Sequence, residues 1–377
     1  MTQYPGRAII SVDALRENLA AARTHLSGQR LLAVVKADAY GHGVLAAARA
    51  FLDAGADYLG VAELREALDL SAALGATRTV PIFSWIFDDT VDFREAAAAG
   101  IEVSVGATWV LDRLEDLPAG AGIPVHIGVD TGMAREGFAP ADVPAAASRL
   151  AALEARGTVR VVGLWSHLAC ADDPARPEAT ARQVELFEEA RRDVRAAGIH
   201  PDVEHLAASS GVLWHPEALF SMVRPGIILY GLSPNPAVAT AAELGIRPAM
   251  RVEAPIIADR WVKDGTGVSY GHTAHATGRT HLGIVPLGYA DGIPRAASNR
   301  CEVSIRGQRA PIIGRVCMDQ FVVRLPENAR PGEMATLFGS GSSGEPTADE
   351  WAERIGTIGY EIITRIGPRV PRVYEGA

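Results

Sequence analysis

Lysine is nearly absent from this chain: Lys36 and Lys263 stand against 34 arginines in 377 residues. Genome base composition accounts for most of such a bias. Each remaining lysine is informative all the same, because a residue that must shed its proton cannot be replaced by a permanently charged guanidinium. Cysteine is scarce too. Cys170, Cys301 and Cys317 are odd in number and far apart, which argues against a disulfide framework and points to a reducing, cytoplasmic setting. No apolar run approaches the ~20 residues of a membrane helix. The opening MTQYPGRAIISVDALRENL lacks the charged start, apolar stretch and cleavage site of a signal peptide. Basic stripes are missing as well. The 45 acidic residues outnumber 36 basic ones for a net charge of −9, which argues against a nucleic-acid partner. What remains is an ordinary globular composition, 48% hydrophobic, in a chain long enough to bury a core unaided.

Two textures divide the chain. Up to about residue 231 there are eight short apolar runs: LLAVVKA (31–37), YLGVA (58–62), VPIFSW (80–85), EVSVG (102–106), PVHIGVD (124–130), VVGLWSH (161–167), DVEHLAA (202–208) and VRPGIILYG (223–231). Ala-rich segments of helical periodicity separate most of them. Alternating strand and helix implies a parallel sheet. Eight units in about 200 residues fit a closed (β/α)8 barrel of TIM type better than an open sheet. From about residue 245, short alternating segments such as CEVSIRGQRAPIIGRV, DQFVVRLP and EMATLFG indicate β-structure. The expected class is α/β: an N-terminal barrel domain over residues 1–240, then a mostly β C-terminal domain over 241–377. Within the latter, TADEWAER (347–354) predicts a short helix with Thr347 as N-cap and Glu350 closing a capping box.

Several familiar chemistries find no footing. Neither lysine follows glycine, so a P-loop is excluded. No G-x-S-x-G elbow supports a serine hydrolase. GSGSSG (339–344) matches G-x-G-x-x-G formally, but too little chain follows for a βαβ unit, so it is expected to be a plain loop. His272, His275 and His281 cluster in sequence without a cysteine or carboxylate to complete a metal site; no metal is expected.

The informative constellation starts at Lys36, at the end of the first barrel run. Barrel enzymes place their sites at the C-terminal ends of the strands. A lysine flanked there by Val34, Val35 and Ala37 is partly desolvated, which lowers its pKa and suits a Schiff base or a general base. A snorkelling surface lysine is the plainer alternative. Tyr40 and His42 follow in the first loop. Asp130 and Arg135 come after the fifth run, His167 at the end of the sixth, Ser209 and Ser210 after the seventh, and Arg224, Pro225, Gly226 and Ile227 in the eighth. His167 alone reads as a core histidine. So many polar residues at successive strand ends do not read as packing. Ser209 with Gly226 and Ile227 suits phosphate binding through backbone N–H groups. A lysine for a Schiff base and a phosphate cup on one rim point to pyridoxal 5′-phosphate (PLP).

AVVKADAYGHG, DTGMAREGF, SHLACAD, MVRPGIILYG, VSYGHT, VPLGYADG, GRVCMDQ and IGYEIITRIGPRVPRVY occur in that order between residues 33 and 374. Through them the chain resembles the alanine racemase family along essentially its whole length. The resemblance implies a PLP enzyme acting on alanine, a homodimer with composite sites, and D-alanine supply for peptidoglycan in the cytoplasm. Lys36 looks like the Schiff-base lysine and the base on one face of the substrate. Tyr270 looks like the opposite base, delivered by the partner subunit. His167 matches the histidine contacting that tyrosine, and Arg224 the arginine facing the pyridine nitrogen. Arg135 matches the arginine near the cofactor's phenolic oxygen and the substrate carboxylate. Tyr40, Ser209, Gly226, Ile227 and Tyr360 match phosphate-binding positions. Met318 matches a substrate-carboxylate position reached across the dimer, with Asp319 and Tyr289 near the entryway.

Three positions depart from the resemblance. Gly128 stands where many relatives carry a lysine that becomes carbamylated and supports the arginine matching Arg135. Ala208 and Gly359 stand where asparagine is common. These changes keep a specialised or broader racemase open, one acting on serine for example. A decarboxylase of the same plan would carry Cys-Glu-Ser where this chain has Cys317-Met318-Asp319-Gln320. A non-catalytic PLP carrier would be a barrel alone.

Overall fold

The computed structural model describes residues 4–376. A first strand, β1 (Arg7–Ser11), precedes eight that close into a parallel barrel. These are β2 (Arg30–Val34), β3 (Tyr58–Glu63), β4 (Ile82–Ile86), β5 (Ile101–Val105), β6 (Ile123–Gly128), β7 (Val159–Trp165), β8 (Val203–Ala208) and β9 (Met222–Arg224), with β2 pairing to β9. Strands covered by helices outside and side chains inside are buried on both faces, so they read as continuous apolar runs. The covering helices show the complementary stripe. Pro177–Ala196 buries Thr180, Gln183, Phe187, Ala190 and Val194, three or four residues apart.

The first and last predicted barrel runs lose the most length as strands. The last one stops at Arg224, and Ile227–Tyr230 forms a 3-10 turn instead. Pro225 has no N–H for a ladder. The Tyr230 hydroxyl is drawn inward to the Val34 carbonyl at 2.8 Å. The first strand stops at Val34, so Lys36 lies two residues beyond it.

The mostly β second domain follows with β10 (Met250–Pro255), β11 (Ala258–Val262), β12 (Gly267–Val268), β13 (Ala274–His275), β14 (Thr280–Val285), β15 (Glu302–Ile305), β16 (Gln308–Pro311), β17 (Phe321–Arg324), β18 (Met334–Phe338) and β19 (Arg372–Glu375). Its largest sheet runs β16-β15-β18-β10-β1-β19, so both ends of the described chain enter it. The predicted helix spans Ala348–Ile355, with the Thr347–Glu350 capping box formed in both directions. GSGSSG is a loop wrapped around its own anion: the buried Glu345 carboxylate accepts from Gly341 N, Ser343 N and the Ser340 hydroxyl. The three histidines do not converge. His281 stacks on Trp261 at 4.5 Å and pairs with Asp259 at 2.6 Å, while the His272 and His275 rings lie 6.3 Å apart.

Candidate active site

A cavity of about 490 Å³ opens at the C-terminal ends of the barrel strands. Lys36, Tyr40, Arg135, His167, Ser209, Arg224, Gly226, Ile227 and Tyr360 all line it. The turn that presents Lys36 is unusual. Ala37, Asp38, Ala39 and Tyr40 have φ of 54°, 53°, 55° and 52°, a left-handed turn without a glycine. Such a conformation costs about 1–2 kcal/mol per residue, so neighbours must hold it. Glu66 accepts from Ala37 N at 2.6 Å, and Asp38 accepts from Val44 N at 2.7 Å. Buried His42 meets the Ala39 and Tyr40 carbonyls, both at 3.0 Å. Burial pushes its pKa down to about 4. His42 thus braces the turn and is not among the residues lining the cavity.

Burial lowers the pKa of Lys36, and the Arg135 charge adds to the effect. The neutral amine, the form able to accept a proton or attack a carbonyl, is thereby favoured. Its Nζ lies 5.7 Å from the Trp85 ring centre, a neighbour the motifs did not announce.

Arg224 is buried and held on two sides. Nη1 donates to the His205 carbonyl at 2.8 Å and to His205 Nδ1 at 2.9 Å. Nη2 donates to the Ser166 carbonyl at 2.6 Å and to His167 Nδ1 at 3.1 Å. Burial lowers its pKa to about 9, which leaves it cationic at neutral pH. Because Arg224 can only donate, His167 Nδ1 is an acceptor and the histidine's proton sits on Nε2. Burial, then the charges of Arg224, Arg135 and Lys36, hold the His167 pKa well below its usual value, so the ring is neutral.

One wall is rich in uncharged donors. Burial raises the phenol pKa values of Tyr40 and Tyr360, whose rings lie 6.3 Å apart. Ser209 Oγ accepts from Gly226 N at 2.9 Å. A Cβ on Gly226 would fall 2.3 Å from the Tyr40 hydroxyl, so any side chain there would fill the cup. Ala208 is the N-cap of Ser209–Trp214 and supplies no side-chain cap, which leaves the first N–H groups for another acceptor. Gly359 is required by its neighbours, since a Cβ would lie 2.1 Å from Asp349 Oδ1 and 2.6 Å from Leu232 Cδ2.

The loop carrying Arg135 is shaped by Asp130, whose Oδ1 accepts from Gly132, Met133 and Ala134 N at 2.9–3.0 Å. Arg135 makes a two-point ion pair with Glu136, another cavity residue the motifs did not single out. Beside Gly128 the space is taken by Trp165. Its indole N–H donates to Ser104 Oγ at 2.9 Å, and its ring centre lies 5.3 Å from Arg224 Cζ. A Cβ on Gly128 would already come within 3.1 Å of Trp165 Nε1 and 3.2 Å of Ser104 Oγ. Gly128→Lys is therefore expected to displace the indole and lower stability by about 1–3 kcal/mol. A thermal melt checks this; an unchanged Tm would mean that Trp165 does not hold that space.

Tyr270 and Met318 are not brought to this cavity within the chain. Tyr270 is 72% exposed and Met318 52% exposed, both on the second domain. Tyr270 stands in the turn of the β12–β13 hairpin, between Ser269 (φ 59°) and Gly271 (φ 70°). Ser269 Oγ anchors that turn by donating to the Arg315 carbonyl at 2.7 Å. Tyr289 is also exposed, and Asp319 pairs with Arg369 at 2.9 Å.

A barrel with a desolvated lysine, a buried arginine and a hydroxyl-rich wall on one rim, joined to a mostly β domain, has the layout of a barrel enzyme with its site at the strand ends. The families described as alanine racemase N-terminal domain and C-terminal domain match residues 10–234 and 249–374. The alanine racemase of Thermobifida fusca is 47% identical over 373 residues, covering 98% of both chains. The alanine racemase structure from D-cycloserine-producing Streptomyces lavendulae superposes with a TM-score of 0.96 at 43% identity, covering 100% of this chain and 98% of the other. That from Bacillus anthracis, with bound L-Ala-P, gives 0.89 at 31% identity and covers 100% of both. The chain belongs to the alanine racemase family of isomerases.

Among the described residues no helix is long and apolar enough to cross a membrane.

Proposed function

We propose that this enzyme interconverts L-alanine and D-alanine with PLP held on Lys36, and that each site is completed by Tyr270 and Met318 of a partner subunit. The observation that carries the reading is a division of labour. Nine candidate residues line one cavity, while the two expected to act across a dimer stand exposed on the other domain. The functional boundary lies near residue 240, although β1 crosses it to pair in the second sheet.

The residues present fit the cofactor. Tyr40, Ser209, Tyr360 and the Ile227 N–H would offer neutral donors for a phosphate, with Gly226 keeping the cup clear of a side chain and its own N–H given to Ser209 Oγ, and the Lys36 amine would hold the aldehyde carbon. When bound, PLP supplies an electron sink that eases loss of the substrate's α-proton. Arg224 is a cation that keeps its protons at neutral pH, so a pyridine nitrogen held against it would stay unprotonated and the sink would be weaker. Lys36 moves the α-proton on one face and Tyr270 on the other. A phenol has a pKa near ~10 and needs help to act as a base near neutrality. The proton on His167 Nε2 provides that help by stabilising the phenolate. Arg135 and Met318 hold the substrate carboxylate. Such an activity suits D-alanine supply for peptidoglycan in the cytoplasm.

Purified, PLP-loaded protein given L-alanine, L-serine and larger amino acids, read by chiral chromatography, tests the proposal. Alanine turnover well above the others is expected. No D-alanine would overturn the proposal, and faster serine turnover would replace its substrate.

A further inference from the structure

Three polar side chains run through the interior of the barrel where apolar filling is usual. Glu102 on β5, His126 on β6 and His205 on β8 are at most 5% exposed. Glu102 Oε2 lies 2.7 Å from His126 Nε2, and His126 Nδ1 lies 2.9 Å from His205 Nε2. His205 Nδ1 then meets Arg224 Nη1 at 2.9 Å. The two ends of this chain settle its direction. Arg224 can only donate and an ionised Glu102 can only accept. His205 must therefore accept on Nδ1 and carry its proton on Nε2. His126 must accept on Nδ1 and donate from Nε2 to the carboxylate. A second proton on either ring would set two donors face to face.

The backbone makes room for this chain. Gly163 lies on β7, between the strands of the two histidines, and a Cβ there would fall 1.9 Å from His126 Nδ1. Its φ is not in the left-handed region, so the ring, not the backbone conformation, requires glycine.

We propose that Glu102, His126 and His205 are positioning residues that fix the charge and orientation of Arg224, and through it the tautomer of His167. The proposal rests on the racemase reading for its consequence but not for its geometry. One buried anion polarises both imidazoles toward the guanidinium, as an outer partner orients a ligating histidine. In Glu102→Gln the neutral amide can donate as well as accept, so the chain can run in either direction. The reverse order turns an N–H of His205 toward Arg224 and loosens the arginine.

The test is nitrogen-15 NMR of histidine-labelled protein without cofactor, alongside kinetics of loaded Glu102→Gln. In the wild type, His126 and His205 are expected with the proton on Nε2 alone. A proton on Nδ1 of either would overturn the proposal whatever the variant does, and whether or not the protein racemises alanine. In Glu102→Gln, the His205 signals should shift toward a tautomer mixture. Its kcat should fall about 10-fold, with KM within about twofold, the scale of a lost outer partner. Unchanged spectra and kcat in a folded Glu102→Gln would also overturn it.

Discussion

Lys36→Ala is expected to lose at least ~10³-fold in racemisation, since both a proton-transfer group and the covalent anchor disappear together. The loaded variant should also lose the visible absorbance of lysine-bound PLP. The loss follows from the environment as much as from the residue. Burial and the Arg135 charge lower the Lys36 pKa, and the left-handed turn at 37–40 fixes the position of its backbone. Lys263 is the only other lysine and lies on the second domain, outside the cavity lining. An absorbance band that survives in Lys36→Ala would move the covalent role to Lys263 and undo the site assignment.

Tyr270→Phe is the second large effect. The lysine-bound absorbance should persist, because nothing in the barrel is touched. Net interconversion should fall by ~10²–10⁴-fold, the usual weight of a general base. The informative readout is deuterium exchange at the α-carbon of each pure enantiomer. With Tyr270 assigned the α-proton of L-alanine and Lys36 that of D-alanine, exchange should survive with D-alanine and be lost with L-alanine. Equal loss from both enantiomers would count against separate bases on opposite faces.

Most of the barrel is legible in the sequence because a doubly buried strand is largely apolar along its length. The rim residues are legible because each sits where such a run ends. The short elements are not. β1 and β19 are five and four residues long, and β1 takes its partners more than two hundred residues downstream, where no local pattern can point. The turn at Ala37–Tyr40 gives no signal either, since left-handed backbone is usually announced by glycine and none is present there. Gly128 tells of missing bulk but not that Trp165 takes the room. The histidine chain has a faint signature: Glu102, His126 and His205 interrupt apolar strand runs, and a polar residue at such a place needs a buried partner. Each residue, taken alone, passes for ordinary strand polarity, which hides the signature until the barrel closes and brings the three together.

Sharing of a site between subunits is tested most directly by mixing Lys36→Ala with Tyr270→Phe, unfolding and refolding them together, and following L-alanine conversion. Random pairing makes half the dimers mixed, and each mixed dimer holds one site with both groups intact. Recovery to roughly a quarter of wild-type turnover is expected. If Tyr270 served the cavity of its own chain, no pairing could restore a site, and a mixture as inactive as its two components would contradict the shared site.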